Sequence, residues 1–457
     1  MEELQDNIQF QLTDELIEKV EVLVEDQNDN ELKDLLNEYH YADIADILDE
    51  LDLDDAIYVI KLLDSETTSD ILMELDEDNR EKVLQNLSVK EIAEEVEELD
   101  TDDAADIIAE LPEERQEAVI SQIEDEEHKA EIKELLTYDE DTAGGLMAKE
   151  LVKVYATWTV AGCLRRIRGQ AKDVTRVHSI YVVDKQEKLI GRLSLKDLII
   201  SKSDQKIADI AKENVDYVNV KDDAEDVAKV MAKYDLEAIP VVDEDQTLLG
   251  RITIDDIVDV LKEEADKDYQ LAAGITQDVD SDDSIIELTR ARLPWLFLGL
   301  LGGVGAYIIM ENFENGLPEE FKVLFLFAPL IAAMAGNVGV QSSAIIVQGL
   351  ANDDVKGSIN NRLIKEMLLA TLNGVILAIF LFLFLWLWTE KFELSLAISV
   401  SLIAVIIVAG LVGTFIPLFL DKRGIDPAIA TGPFITTSND IFGIVIYLLI
   451  AKLILGI

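Results

Sequence analysis

The chain has 457 residues, with 92 acidic side chains against 39 basic ones and a formal net charge of −53. This balance excludes nucleic acid as a partner, because affinity for nucleic acid comes largely from Lys and Arg that neutralise phosphates. Residues 1–289 hold 80 of the acids, whereas residues 290–457 are apolar and nearly neutral. An acidic soluble half therefore precedes a hydrophobic half, and the dense carboxylates favour hard cations such as Mg2+ and Ca2+.

Residues 1–137 are predicted to form an all-α, acidic, superhelical domain, because Leu, Ile, Val and Ala recur at three- and four-residue spacings between acids. A shift of 48 residues aligns one part of this region with the next, and repeats of that length stack as helix pairs. Asp102 and Asp103 lie where a helix is expected to begin, so helix capping is the alternative to a metal-binding role. The aligned pairs include Ile44/Ile92, Leu51/Leu99, Asp52/Asp100, Asp54/Asp102 and Asp55/Asp103.

Residues 138–262 change to short β-runs that alternate with helices, and a shift of 59 residues aligns their two halves. Two apolar runs joined by a polar turn predict a hairpin in each half, with Gly191 or Gly250 opening the second strand. Helix caps are expected to follow each hairpin, with an Asp at the third helical position. These caps are Ser194 with Asp197, and Thr253 with Asp256.

The duplicated hairpins and caps resemble a tandem pair of cystathionine-β-synthase (CBS) domains, at residues 138–200 and 201–262. In that family the Ser/Thr-x-x-Asp positions often contact the ribose and phosphate of adenine nucleotides. The resemblance therefore implies ATP or another adenine nucleotide as a ligand of Ser194, Asp197 and Thr253, while capping accounts for the same residues.

A polar, partly helical segment, residues 263–290, links this region to five apolar segments, each long enough to cross a membrane. Most Lys and Arg beside the segments fall on one side, which predicts a cytosolic N-terminal half and a C-terminus outside the cell. The predicted spans lie at residues 293–310, 321–349, 365–388, 394–420 and 430–455.

Asp440 is predicted to be the single deep acid of these spans, about ten residues from the cytosolic end and roughly 15 Å inside at helical rise. An ionisable group there must face a partner or a watery path, and pore lining is favoured over a buried structural role. Thr436, Thr437 and Asn439 offer neutral oxygens on the same span. Polar and small residues of the other spans are assigned equally to packing or to pore lining: Gly336, Asn337, Gln341, Ser342, Ser343 and Asn373.

The order of domains resembles the MgtE family of bacterial magnesium channels and transporters. The motifs that carry the likeness are Thr142-Ala143-Gly144, Gly336-Asn337-x-Gly-x-Gln341-Ser342, Asp426-Pro427 and Pro433 to Asp440. The resemblance implies a homodimer with the pore on its axis, Asp440 as the ion-binding carboxylate and Asp426 near the cytosolic mouth. It also implies regulatory Mg2+ among the helical domain, the CBS pair and the connecting helix, at acids expected to include Asp102, Asp106, Asp256, Asp259 and Glu264.

Three positions depart from the family pattern: Lys267 replaces an acid, Gly432 replaces an Asn before the proline, and Val340 replaces a polar residue. These departures bear on the strength of regulation and on the pore mouth.

The predicted protein is therefore a bilayer-embedded, homodimeric Mg2+ channel or transporter, not an enzyme, that cytosolic Mg2+ regulates. Two alternatives remain: a membrane-tethered divalent-cation sensor without its own pore, and a transporter of another divalent cation such as Co2+. An intramembrane aspartyl protease is excluded, because that chemistry needs two carboxylates that share a proton.

Overall fold

The computed structural model describes residues 10–457 except 172, 173, 175, 278, 280–282, 316, 353–357 and 431. The chain divides into two compact units, Met1–Leu261 and Lys262–Ile457. The predicted fold class is confirmed, since an acidic helical domain and a CBS pair are followed by long apolar helices.

The acidic domain consists of short helices, eight to twelve residues long in the described part of the chain. Helices of this length gain most of their stability from packing an apolar face rather than from propensity. The helices are α1 (Asp14–Glu25), α2 (Asp29–Leu36), α3 (Tyr41–Asp49), α4 (Leu53–Leu62), α5 (Ser65–Glu74), α6 (Glu77–Asn86), α7 (Val89–Val96), α8 (Thr101–Ala109), α9 (Glu113–Gln122) and α10 (Glu126–Leu135).

The predicted repeat is confirmed, because α7 and α8 begin 48 residues after α3 and α4. Both α3 and α7 start with a capping box, from His40 and Asp43 in one and Ser88 and Glu91 in the other. Helix α5 packs between α3 and α7, and α7 packs in turn on α9. Successive helices thus bury their apolar stripes on neighbours, as in a superhelix.

Asp102 and Asp103 lie at the start of a helix, as predicted, but neither holds the N-cap position. Helix α8 begins at Thr101 with Asp100 as its N-cap, so both acids lie in its first turn. Asp102 instead accepts a hydrogen bond from the Asp103 N–H at 3.1 Å. The two carboxylates are therefore available for other interactions.

The CBS pair contains two three-stranded sheets of the same topology, which confirms the duplication and its hairpins. In each sheet the first strand pairs in parallel with the second, and the second pairs in antiparallel fashion with the third. The strands are β1 (Val152–Tyr155), β2 (Ile180–Val183), β3 (Leu189–Leu193), β4 (Val218–Asn219), β5 (Ala238–Val242) and β6 (Leu248–Thr253), and the helices are α11 (Val160–Gln170), α12 (Leu195–Ile200) and α13 (Ala224–Tyr234).

Gly191 and Gly250 lie inside the second strand of each hairpin, so the prediction that they open it is wrong. A close backbone approach explains the glycines. A Cβ atom on Gly250 would lie 2.6 Å from the Ala148 carbonyl oxygen, and one on Gly191 would lie 3.0 Å from that of Lys212.

Helix α14 (Ile254–Ala273) follows β6 directly. Five further helical segments of the described chain are long and apolar enough to cross a membrane. The predicted number of spans is confirmed, but the helices of the first and the third start eight and six residues earlier than expected. The long helices are α15 (Ile285–Glu314), α16 (Ala328–Ala351), α17 (Ile359–Thr389), α18 (Phe392–Asp421) and α19 (Gly432–Leu455), and a 3-10 turn at Glu319–Phe327 extends the segment of α16.

Helix α18 packs against α16, α17 and α19, and small residues bring the backbones close. A Cβ atom on Gly413 of α18 would lie 2.4 Å from the Gly339 carbonyl oxygen of α16. Backbone atoms cannot rotate away as a side chain can, so this crossing requires glycine.

We expect Gly413→Ala to destabilise the membrane unit by about 1–3 kcal/mol, the usual cost of overpacking. Thermal unfolding of the full chain in detergent measures the effect. Gly303→Ala is the matched control, because nothing lies within 4 Å of a Cβ atom there. Equal unfolding temperatures for the two variants would contradict the proposed packing.

Candidate functional site

A group of acids lies where α8 faces the start of α14. Helix α8 contributes Asp102, Asp103 and Asp106, which share one side of the helix because residues three and four apart are neighbours. Helix α14 contributes Asp256, whose carboxylate accepts hydrogen bonds from the N–H and the hydroxyl of Thr253 at 2.8 and 2.9 Å. The predicted acids Asp102, Asp106 and Asp256 are thus brought into electrostatic contact.

The burial of these carboxylates close to one another is electrostatically unfavourable. Burial, then the charges of Asp256 and Asp106, raise the pKa of Asp103 to about 8. Burial raises the pKa of Asp256 to about 6, and burial followed by the charge of Asp103 raises that of Asp102 well above its usual range. Such shifts mean that the ionised forms are disfavoured until a proton or another cation offsets them.

Asp106 differs from its neighbours because its side chain is open to solvent. The surrounding protein still excludes enough water to raise its pKa to about 7, and the charge of Glu140 adds to the rise while Arg80 opposes it. A solvated cation can therefore approach the group from the side of Asp106.

Asp100 and Glu150 join Asp102 in a second arrangement that could hold a metal. One carboxylate oxygen from each lies within 4.8 Å of the others, and hard cations prefer oxygen ligands. Neither Asp100 nor Glu150 was predicted as a ligand. Asp100 could have been found from its repeat partner Asp52, whereas Glu150 carries no sequence signal because only the tertiary fold brings it to α8.

The other predicted regulatory acids lie elsewhere. The charge of Asp259 helps to raise the pKa of Glu74 on α5, so Asp259 faces a different part of the helical domain. Glu264 belongs to the second compact unit, where its carboxylate pairs with Lys267 at 2.8 Å. The lysine that departs from the family pattern thus partly offsets the charge of Glu264.

The predicted nucleotide ligands lie at the starts of two helices, α12 and α14. Ser194 and Asp197 form a capping box, with the Ser194 hydroxyl donating to the carboxylate at 2.7 Å. These hydrogen bonds hold the pKa of Asp197 below its usual range. Thr253 makes only the reciprocal half of such a box, because its N–H and hydroxyl donate to the Asp256 carboxylate at 2.8 and 2.9 Å. Capping is therefore confirmed for Ser194.

In the membrane unit, the polar residues of α19 pack directly on glycines of other helices. A Cβ atom on Gly302 of α15 would lie 2.1 Å from Thr437 Cγ2, and one on Gly339 of α16 would lie 1.8 Å from Asn439 Nδ2. A Cβ atom on Gly336 of α16 would lie 3.4 Å from Asp440 Oδ1, so Asp440 lies beside this glycine. Asp440 is half-buried, whereas Asn439 is 1% exposed.

Some of the small and polar residues of α16 are buried against other helices, and others are exposed. Gly336, Ser342 and Ser343 are buried and serve packing. Asn337 and Gln341, one turn apart, are exposed, as is Asn373 of α17. Polar side chains exposed within a membrane span require water or a second protein surface. Asp426, also exposed, accepts a hydrogen bond from the Ala428 N–H at 2.7 Å.

Glu366 is a further acid within the apolar helices, close to the start of α17. Helix α17 begins at Ile359, which places Glu366 seven residues inside it. The Ser342 hydroxyl donates to its carboxylate at 2.7 Å, and a Cβ atom on Gly410 would lie 2.8 Å from the same oxygen. Glu366 was missed because the predicted span began beside it, at residue 365.

The end of α14 contacts the start of α19 at two glycines in the left-handed region. Gly432 has φ +43, and a Cβ atom there would lie 2.1 Å from the Ala272 carbonyl oxygen. Gly274 has φ +84, and its Cβ atom would lie 2.3 Å from Pro433 Cγ. We call these four residues the α14–α19 contact, and it explains why glycine stands before Pro433.

Family models match three parts of the chain: a divalent cation transporter model at residues 328–450, an intracellular N domain model at 39–141 and CBS domain models at 143–203 and 207–263. The magnesium transporter MgtE of Enterococcus faecalis is 38% identical over 320 residues, which cover 70% of this chain and 70% of that relative. The chain belongs to the MgtE family.

The MgtE relative of Thermus thermophilus is 37% identical over 324 residues and also covers 70% of this chain, and 72% of its own length. A solved structure, the cytosolic domain of the Mg2+ channel MgtE in complex with ATP, is 34% identical. It covers 53% of this chain and 99% of its own, with a TM-score of 0.50. This MgtE chain is therefore a membrane protein with intracellular N-terminal domains.

We expect the thermal stability of this MgtE chain in EDTA to fall as the pH rises from about 6 to about 8.5. The acids of α8 and α14 have folded-state pKa values of about 6 to about 8, above the unfolded values near 4, so the folded state binds more protons and loses stability as they dissociate. Thermal unfolding of the full chain at a series of pH values measures the slope of stability against pH.

Asp103→Asn should flatten that slope, because the substitution removes the carboxylate whose pKa is about 8. Asp54→Asn is the control, since Asp54 is an exposed acid in the first turn of α4. An identical slope in wild type and Asp103→Asn would show that the group does not control stability.

Proposed function

We propose that this chain carries Mg2+ across the membrane along a path that passes Asp440. The single observation that carries the proposal is the half-buried Asp440 carboxylate, eight residues after the start of α19, which is roughly 12 Å at helical rise. Its magnesium-transporting relatives supply the substrate. Mg2+ keeps several of its waters, so Asp440 would hold the hydrated ion through its water shell.

Two copies of the chain would form this path between them. The support is the polar face of α16, where Asn337 and Gln341 are exposed on the described protomer. A second copy covers that face or encloses water against it, and either arrangement satisfies the polar groups. We place the C-terminus outside a bacterial inner membrane, with Asp426 near the cytosolic mouth.

Cytosolic Mg2+ would close the path by binding the acidic domains. Asp102, Asp106 and Asp256 form one site, and Asp259 and Glu264 contribute elsewhere. The raised pKa values of Asp102, Asp106 and Asp256 support this role, because a divalent cation offsets the same repulsion that protons offset. Ion binding then shifts the population towards the compact, closed form by its differential affinity.

The signal would travel along α14. Its first turn carries Asp256, and its last residues make the α14–α19 contact beside the start of the span that holds Asp440. We accordingly assign residues 1–137 and 138–262 to sensing, residues 263–290 to the connection and residues 291–457 to transport.

A second function, binding of ATP or another adenine nucleotide at the CBS pair, is favoured by one observation. The related cytosolic domain solved with ATP is 34% identical and covers 53% of this chain. Ser194 follows β3 and Thr253 ends β6, at corresponding positions of the two repeats, and Asp197 lies in the first turn of α12. Nucleotide binding there would adjust the sensor rather than the path.

We expect Asp440→Asn to reduce Mg2+ flux into liposomes to about a tenth or less, which corresponds to about 1.4 kcal/mol of lost stabilisation. The substitution keeps size and polarity while it removes the charge that attracts the ion. Asp421→Asn is the control, because Asp421 is an exposed acid at the end of α18.

Unchanged Mg2+ flux through Asp440→Asn would contradict the proposal that the ion passes Asp440. A wild-type protein that passes no Mg2+ would support the tethered sensor instead. Faster flux of Co2+ than of Mg2+ into the same liposomes would favour Co2+ as the substrate.

We expect Gly432→Ala to weaken inhibition of flux by cytosolic Mg2+, because its methyl group would displace the Ala272 carbonyl from the α14–α19 contact. Gly424→Ala is the matched control. Gly424 also has a positive φ, +67, so alanine costs a similar ~1–2 kcal/mol of backbone strain, but its Cβ atom meets open space. Equal inhibition of both variants would show that the contact does not transmit the signal.

A further inference from the structure

Glu95 of α7 is a buried acid that the proposed sensor site does not use. It is 8% exposed and lies on the inner face of α7, together with Ile92, Ala93 and Val96. The 48-residue repeat aligns Glu95 with Ile47 of α3, which is fully buried. A carboxyl group thus occupies a position of the apolar core, where its ionised form is strongly disfavoured.

The partner of Glu95 is the hydroxyl of Thr68 on α5, a side chain that is fully buried. Thr68 Oγ1 lies 2.6 Å from Glu95 Oε2 and 2.9 Å from the Asp64 carbonyl oxygen. A hydroxyl carries a single proton, so it donates fully to only one of these oxygens. When Glu95 is protonated, its carboxyl donates to Thr68, and Thr68 donates to Asp64. When Glu95 loses this proton to water, the Thr68 hydroxyl turns to the carboxylate and leaves the Asp64 carbonyl.

The surroundings of Glu95 favour its neutral form. Burial is the main cause that raises the pKa of Glu95 to about 7, and the hydrogen bond from Thr68 opposes the rise. Nearby acids add to it: Asp64 at the N-cap of α5, and Glu94 and Glu98 along the chain from Glu95. Close to neutral pH, a small change in proton concentration therefore changes the charge of this core position.

The cationic side chains around α7 have partners of their own. Helices α5, α8 and α9 pack on α7, and Arg115 of α9 is their only basic residue. The acids of α8 act on Asp256 of α14 rather than on Glu95. The cationic or titratable groups pair as follows: Arg115 with the Leu87 carbonyl oxygen at 2.7 Å, Lys61 with Glu91 at 3.3 Å, Lys90 with Glu94, and His128 Nε2 with the Val96 carbonyl oxygen at 3.1 Å. A proton is thus the positive charge that suits Glu95.

We propose that Glu95 and Thr68 form a proton-operated latch between α5 and α7: the neutral carboxyl holds the two helices together, and its ionisation loosens them. The ionised carboxylate loosens the helices because it needs water that the closed core excludes. Helix α5 also carries Glu74, whose carboxyl is in electrostatic contact with Asp259 of α14. The latch would therefore let protons adjust the sensor. That consequence rests on the proposed regulatory role of Asp259, whereas the latch itself does not.

The test is hydrogen exchange of the α5 amides in the full chain, in detergent with EDTA, at a series of pH values. After correction for the intrinsic rate, wild-type exchange should rise at least tenfold between about pH 5 and pH 7 and then level off, because the latch opens by losing a proton. Glu95→Gln should stay protected and lose this pH dependence, since its amide donates to Thr68 as the neutral carboxyl does. Glu117→Gln, at an exposed acid of α9, is the matched control and should behave as wild type does.

Infrared spectra supply a second check that does not depend on helix stability. The difference between wild type and Glu95→Gln should contain the C=O band of one neutral carboxylic acid at about pH 6, and this band should disappear by about pH 9. A carboxylate band already present at about pH 6, or wild-type pH dependence of α5 exchange in Glu95→Gln, would overturn the proposal. Neither readout involves transport, so a failed transport proposal leaves both interpretable.

Discussion

Repulsion among carboxylates at the meeting of α8 and α14 is the constraint on which the rest of this structure depends. The fold holds Asp102, Asp103, Asp106 and Asp256 close enough to raise their pKa values, although each prefers ionisation in water. Three kinds of positive charge can offset this cost: protons, the guanidinium of Arg251 and a divalent ion. A site that is costly without a cation is sensitive to cation concentration, which is what a sensor requires.

The membrane unit solves a different problem, the placement of polar groups where water is scarce. Thr437, Asn439 and Asp440 each lie against a glycine of a neighbouring helix, so α19 can approach α15 and α16 closely. Asp440 remains half-buried while Asn439 is enclosed, so neighbouring residues of one helix differ in their exposure. The α14–α19 contact joins the end of α14 to the first turn of this helix.

The sequence predicted what periodicity and composition encode. The 48-residue and 59-residue duplications, the cap at Ser194 and the five spans could be derived because each is local or repeated. Glu150, Arg251 and Glu366 could not be assigned, because their partners Thr101, Asp100 and Ser342 are distant along the chain. Gly250 was placed at a strand opening since sequence alone does not reveal the Ala148 carbonyl beside it.

The central claim is that a divalent cation, by offsetting the charge of these acids, holds α8 against α14 and closes the path. The most direct measurement records Mg2+ flux and hydrogen exchange of α8 on one liposome preparation of the full chain, as cytosolic Mg2+ rises at constant ionic strength. Both should fall with the same midpoint, and Na+ in place of Mg2+ should change neither. Flux that falls while α8 exchange stays constant would contradict the claim.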